Sequence, residues 1–153
     1  LSRPKAGPLI SRKLADYDLM LYASPAYLAK TSDILEVADL ASQHRLVGYI
    51  SDLLYAPELD YLSEIHTDLQ TTVRSSSINA QLQLIAAGAG VGVLPCFMGD
   101  REPSIIRVLP DVRISRSFWV VTHRDNHQLG KVRYLNKWLS EKVAEHQLTL
   151  RPA

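Results

Sequence analysis

Between Arg74 and Asp100 the sequence carries no charged residue, and its internal order leaves few ways to fold. The stretch reads SSSINAQLQLIAAGAGVGVLPCFMG. Ser75, Ser76 and Ser77 offer side-chain oxygens where a helix must begin. Ile78, Leu82 and Ile85 then recur at i, i+4 and i+7, one apolar stripe at helical period. Gly88 supplies the left-handed residue that ends such a helix. The short valine-rich run Val91–Leu94 predicts a strand buried on both faces. Pro95 closes it, because proline has no amide to give to a central ladder. Upstream, the β-branched run Thr71, Thr72, Val73 predicts another strand, so the order is strand, helix, strand.

Two other readings of this stretch fail. It is long enough to span a bilayer. Its serines, Asn79, Gln81, Gln83, glycines and Pro95 make it too polar and too broken to do so. Gly88, Gly90 and Gly92 alternate like a dinucleotide-binding loop, but that fingerprint needs a strand before the glycines and a helix after them. Here the order is reversed.

The rest of the chain alternates in the same way. Leu9–Leu14 and Asp18–Tyr22 predict two short strands. Ser24-Pro25 is a helix start, serine at the cap and proline at the first helical position, with the helix running to about Ala29. Thr31 or Ser32 is placed to cap another turn. Val37–Ala41 reads as a helix and Leu46–Tyr49 as a strand. Residues 51–68 are the least legible and read as a loop or hairpin with half-buried tyrosines. Cys96–Gly99 reads as one helical turn, Ile105–Leu109 as a strand and Ser117–Thr122 as another. Asn126 is placed to cap a last helix with the stripe Leu129, Val132, Leu135, Leu139 and Val143. Strands alternating with helices predict an α/β fold with a largely parallel sheet.

Three segments resemble one family, in its order. QLIAAGAGVGVLP (Gln83 to Pro95), DLMLYASPAYL (Asp18 to Leu28) and SFWVVTHRDNHQLGKVRYLNKWLSE (Ser117 to Glu141) resemble the effector domain of LysR-type transcriptional regulators. The resemblance implies a two-lobe, periplasmic-binding-protein-like fold of Rossmann-like lobes, joined by crossing strands around Leu19–Ser24 and Phe118–Thr122. Residues 25–115 would be a complete second lobe. Residues 1–24 and 116–153 would be a partial first lobe with the crossing strands. So read, the chain begins in mid-domain, without the family's winged helix-turn-helix. DNA would be reached only through that missing part. The uncovered first-lobe surfaces would favour self-association, and the protein would work in the cytoplasm. Charge and cysteine content agree with this. A net charge of +1 gives no field to draw the chain to nucleic acid, and the single Cys96 allows no internal disulfide.

No catalytic constellation is visible, no cofactor is implied, and an enzyme is not expected. His123 and His127 lie four apart, a spacing that binds metal only on a continuous helix, and Asp125-Asn126 looks like a helix start between them. Binding chemistry remains. A helix start leaves backbone N–H groups unpaired and carries partial positive charge, which suits a small carboxylate. The candidate groups are Ser75, Ser76 and Ser77 at one helix start and Ser24 at another, each of which can equally be only a cap. Under the resemblance the effector lies between the lobes at the Ser75–Ser77 helix start. Arg3 would then border the cleft and pair with a carboxylate. Phe97, after Pro95, would form an apolar wall, with core packing as the competing role. A transport-type solute-binding protein shares this plan and is the alternative function.

Overall fold

The computed structural model describes residues 7–54 and 56–152. These hold six strands and seven helices in a mixed α/β fold: β1 (Leu9–Ala23), α1 (Pro25–Leu28), α2 (Val37–Gln43), β2 (Leu46–Gly48), α3 (Tyr61–Ile65), β3 (Val73–Arg74), α4 (Ile78–Ala86), β4 (Val91–Pro95), α5 (Cys96–Gly99), β5 (Ile106–Val108), β6 (Ile114–His123), α6 (Gly130–Glu145) and α7 (Gln147–Leu150). The chain divides into two compact units, Leu1–Asp18 with Ser115–Ala153, and Leu19–Ile114.

The unit Leu19–Ile114 is built on strands in the order β3-β2-β4-β1-β5. β2 runs parallel to β3 and to β4, while β1 runs antiparallel to β4 and β5. The sheet is therefore mixed rather than largely parallel. The Thr71–Ala89 segment makes the crossover that delivers β4 parallel to β2, and its helix α4 seals one face. Met20, Tyr22, Val47, Ile85, Leu94, Cys96 and Ile105 form one buried cluster there. β4 is buried along its whole length, as a strand covered on both faces must be. Gly88 adopts φ 81° just after α4, which reverses the chain into β4. At Gly92 a side chain is excluded. A Cβ there would lie 2.6 Å from Ile85 Cδ1 and 2.9 Å from the carbonyl oxygen of Val47.

In the other unit, β6 pairs with the N-terminal part of β1. Residues 9–23 form one strand, not two. Asp16 and Asp18 are poor strand formers by composition, but their carboxylates take hydroxyl donors from β6. Ser117 Oγ donates to Asp16 Oδ1 at 2.5 Å and Ser115 Oγ to Asp18 Oδ1 at 2.6 Å. The two rungs fix the register, and their order shows that the strands run in opposite directions. Tyr17 stacks on Phe118 with ring centroids 4.3 Å apart.

Three local expectations are corrected. Neither Thr31 nor Ser32 starts a helix; α2 starts after Glu36, where the Asp39 carboxylate accepts the backbone N–H groups of Leu35 and Glu36. Residues 51–68 contain two single 3-10 turns and α3 rather than a hairpin, and Tyr61 and Leu62 bury against the sheet. Asn126 does not cap α6; it sits in a 3-10 turn, and its carbonyl accepts the N–H of Leu129, the residue at the helix start. The α6 stripe is left largely uncovered: no residue of this helix is fully buried, and Leu129 and Leu135 are exposed.

Candidate functional site

The serine cluster lies where β3 gives way to α4. Ser75 donates its N–H to Gly48 O at 3.0 Å, which ties the cluster to the carboxyl end of β2. Its hydroxyl accepts the N–H of Ser77 at 3.2 Å. Ser77 caps α4, its hydroxyl accepting the N–H of Ala80 at 3.4 Å. Ser75 and Ser77 are thus partly engaged in shaping the turn. Ser76 is exposed in the bend between them.

A cavity of about 210 Å³ adjoins this turn, wholly within the unit Leu19–Ile114. Val47, Leu59, Leu62, Leu69 and Val93 supply apolar lining. Tyr49, Asp60, Arg74 and Gln81 supply polar groups. Gly48, Tyr49 and Arg74 place it at the carboxyl ends of the parallel strands β2 and β3, where open α/β sheets place their ligands. Gln81 is buried and donates from Nε2 to Ser75 O at 3.0 Å, so one side chain belongs to both the cavity wall and the serine turn. Arg74 is steadied by Thr71, its Nε donating to Thr71 O and Oγ1 at 3.1 Å each. Tyr49 and Tyr61 meet edge to face with centroids 6.0 Å apart. The volume falls below the roughly 300–1,000 Å³ of drug-sized sites, which suits a metabolite of a few heavy atoms.

A larger depression of about 360 Å³ lies by Lys30, Arg45 and Gly88. It faces the C-terminal end of α4, whose carbonyls carry partial negative charge. Arg45 already donates to Gly88 O there at 3.3 Å. That geometry favours α4 over an anionic ligand.

The remaining expected site residues are dispersed. Ser24 is buried and caps α1, accepting the N–H of Tyr27 at 3.2 Å. A Cβ placed on Gly88 would lie 3.4 Å from Ser24 Oγ, so Ser24 stands at the C-terminal end of α4 while Ser77 caps its N-terminal end. At 1.5 Å per residue the helix alone separates them by about 13 Å. The structure does not bring the two helix starts to one anion. Phe97 is half-buried in α5. Arg3 lies outside the described residues. His127 is turned to Thr122, with Nδ1 3.3 Å from Oγ1, and no group of metal-binding side chains occurs among the described residues. Tyr49, Arg74 and Gln81 were not singled out by sequence. The one signal for them was proximity: Arg74 precedes the serines and Gln81 follows Ser77 by one helical turn.

These features define an α/β domain with a sheet-end cavity, the class to which periplasmic-binding-protein-like folds belong. A family model described as the LysR substrate binding domain matches residues 2–144, and the chain belongs to that family, a domain of LysR-type transcriptional regulators. Among solved structures, the regulatory domain of CrgA from Neisseria meningitidis superposes with a TM-score of 0.77 at 22% identity, covering 92% of this chain and 72% of that one. The regulatory domain of AphB from Vibrio vulnificus gives 0.69 at 20%, covering 92% and 71%. The effector domain of AmpR from Pseudomonas aeruginosa gives 0.69 at 19%, covering 92% and 68%. At these identities the likeness shows the fold. No curated protein sequence matches the chain significantly. No helix among the described residues is long and apolar enough to cross a membrane.

Proposed function

We propose that this chain is the ligand-sensing domain of a LysR-type transcriptional regulator, and that a small carboxylate effector binds at the sheet-end cavity beside Ser75–Ser77. The observation that carries the reading is the shared wall. Gln81 joins the cavity to the exposed N-terminus of α4, and Arg74 adds a cation at the same edge. A cavity with apolar walls that lies beside a helix N-terminus and carries an arginine at one edge suits a ligand with an apolar body and an anionic tip. In the intact regulator the effector would act by population shift. Each tenfold preference for one of two states supplies about 1.4 kcal/mol of bias.

On this reading residues 25–115 are the second lobe, and 1–24 with 116–153 belong to the first. DNA is bound by a winged helix-turn-helix elsewhere in the regulator, in the cytoplasm, and the domain binds rather than catalyses. The family match supports a regulator over a transport-type solute-binding protein. The test is isothermal titration of the intact regulator with its acidic effector. Ser76→Ala and Arg74→Ala should each weaken binding by roughly 1–3 kcal/mol if their groups meet a charge. Arg3→Ala should do the same if it pairs with the carboxylate. Affinity unchanged in all three would remove the anion site.

A further inference from the structure

The family match ends at residue 144, and the segment after it returns to β1. α7 is a four-residue turn, and Arg151 follows it. Its Nε lies 3.4 Å from Asp18 Oδ1 and 3.5 Å from Oδ2, and its Nη1 lies 4.0 Å from Asp16 Oδ2. The two carboxylates it reaches are the ones that form the Ser–Asp rungs between β1 and β6. The Asp18 side chain is fully buried, while Arg151 is 43% exposed. Asp16 has a second cation, Lys13 Nζ at 2.7 Å.

The distances divide into two groups. The rungs are short, 2.5 and 2.6 Å, as hydroxyl–carboxylate bonds should be. The Arg151 contacts are long for a guanidinium–carboxylate pair. The strand pair is therefore held by its ladder and by the rungs rather than by Arg151. Arg151 adds charge compensation through contacts that are separate from the rungs. Asp18 is also the last residue of its unit before the chain passes into Leu19–Ile114, and Ser115 is the first on the return.

We propose that the C-terminal segment is a releasable strap. With Arg151 seated, the buried Asp18 charge is compensated and the β1–β6 pair is held closed at its inner end. With Arg151 withdrawn, that charge loses a compensating cation and the pair loosens. Anything that captures the segment after residue 144 thereby gains leverage over the two strands that enter and leave the first unit.

Amide exchange on the full chain tests this, comparing wild type with Arg151→Gln, Arg151→Lys and a truncation before Gln147. Arg151→Gln and the truncation should raise exchange in residues 9–18 and 115–123 by about tenfold, leaving residues 91–95 of β4 unchanged. Arg151→Lys, which keeps the charge, should restore part of the protection. In wild type, raising salt from about 50 mM to about 1 M should loosen the same strands, because the Arg151 end of the pair is 43% exposed and open to salt ions. In Arg151→Gln that salt response should shrink to what the Lys13–Asp16 pair leaves. If Arg151→Gln does not fold, the wild-type salt series decides alone. Exchange within twofold of wild type in Arg151→Gln, or no localised salt response in wild type, overturns the strap.

Discussion

The Asp100 carboxylate grips the Arg107 guanidinium at two points, Nη2 to Oδ2 at 2.6 Å and Nε to Oδ1 at 2.9 Å. Tyr22 joins them, its buried hydroxyl donating to Asp100 Oδ1 at 2.8 Å. The three groups tie β1, the end of α5 and β5 together. Burial alone would raise the Asp100 pKa. The Arg107 pair and the Tyr22 hydroxyl outweigh it and hold the carboxyl below its ordinary 3.8. The Tyr22 phenol is pushed up, first by burial and then by Asp100, so it stays a donor at any working pH.

A pH dependence follows. A carboxyl whose folded pKa is depressed contributes stability that is complete above its unfolded value and is lost as pH falls through the folded one. Asp100→Asn should therefore lower the melting temperature most above about pH 5, and the difference from wild type should narrow toward acid. Thermal scans of both proteins from neutral to acidic pH check this. A gap that stays constant through the acid range would show that the Asp100 charge contributes nothing.

Gly92→Ala should destabilise the domain by about 1–3 kcal/mol, the usual penalty for overpacking. The new Cβ meets a carbonyl oxygen as well as Ile85, and the carbonyl cannot rotate away. Denaturant unfolding measures the loss. A neutral result would mean that α4 and β2 can part without cost.

The serines should separate into two kinds. Ser77→Ala removes the α4 cap and should cost about 1 kcal/mol. Ser76→Ala, altering an exposed bend residue, should leave stability within about 0.5 kcal/mol. The same denaturant series distinguishes them, and a stability-neutral Ser76→Ala is what makes that variant a clean probe of ligand binding.

Self-association is expected through α6. Tyr134, Leu135 and Trp138 are exposed on one stretch of this helix, and apolar surface of that kind recruits partners. Light scattering should show species larger than a monomer at high concentration, reduced by Leu135→Glu. A strictly monomeric wild type would count against it.

The central crossover was legible because its signals are local. Ser77 caps, Gly88 reverses the chain, and Val91–Leu94 reads as a buried strand from composition alone. The continuity of β1 was hidden because it depends on Ser115 and Ser117, about a hundred residues away in sequence, satisfying Asp16 and Asp18. α3 was missed because Pro57 and scattered tyrosines mask a helix only five residues long. Around the candidate cavity, the helix start at Ser75–Ser77 was readable, but the residues that line the cavity beside it were not. Tyr49, Arg74 and Gln81 converge through sheet order, with β2 lying between β3 and β4, and no spacing in the sequence encodes that order. The pairing of Ser24 with the serine cluster failed for the same reason: two helix starts look alike in sequence wherever they point.

The most direct test of the ligand-sensing account is amide chemical-shift mapping of this chain during titration with a panel of small carboxylates, a method that also reads weak binding. The account predicts saturable shifts at Tyr49, Arg74, Ser75–Ser77 and Gln81, diminished in Arg74→Ala. Saturable shifts confined to α6, or to Lys30 and Arg45 at the other end of α4, with the Ser75–Gln81 turn unmoved, would contradict it.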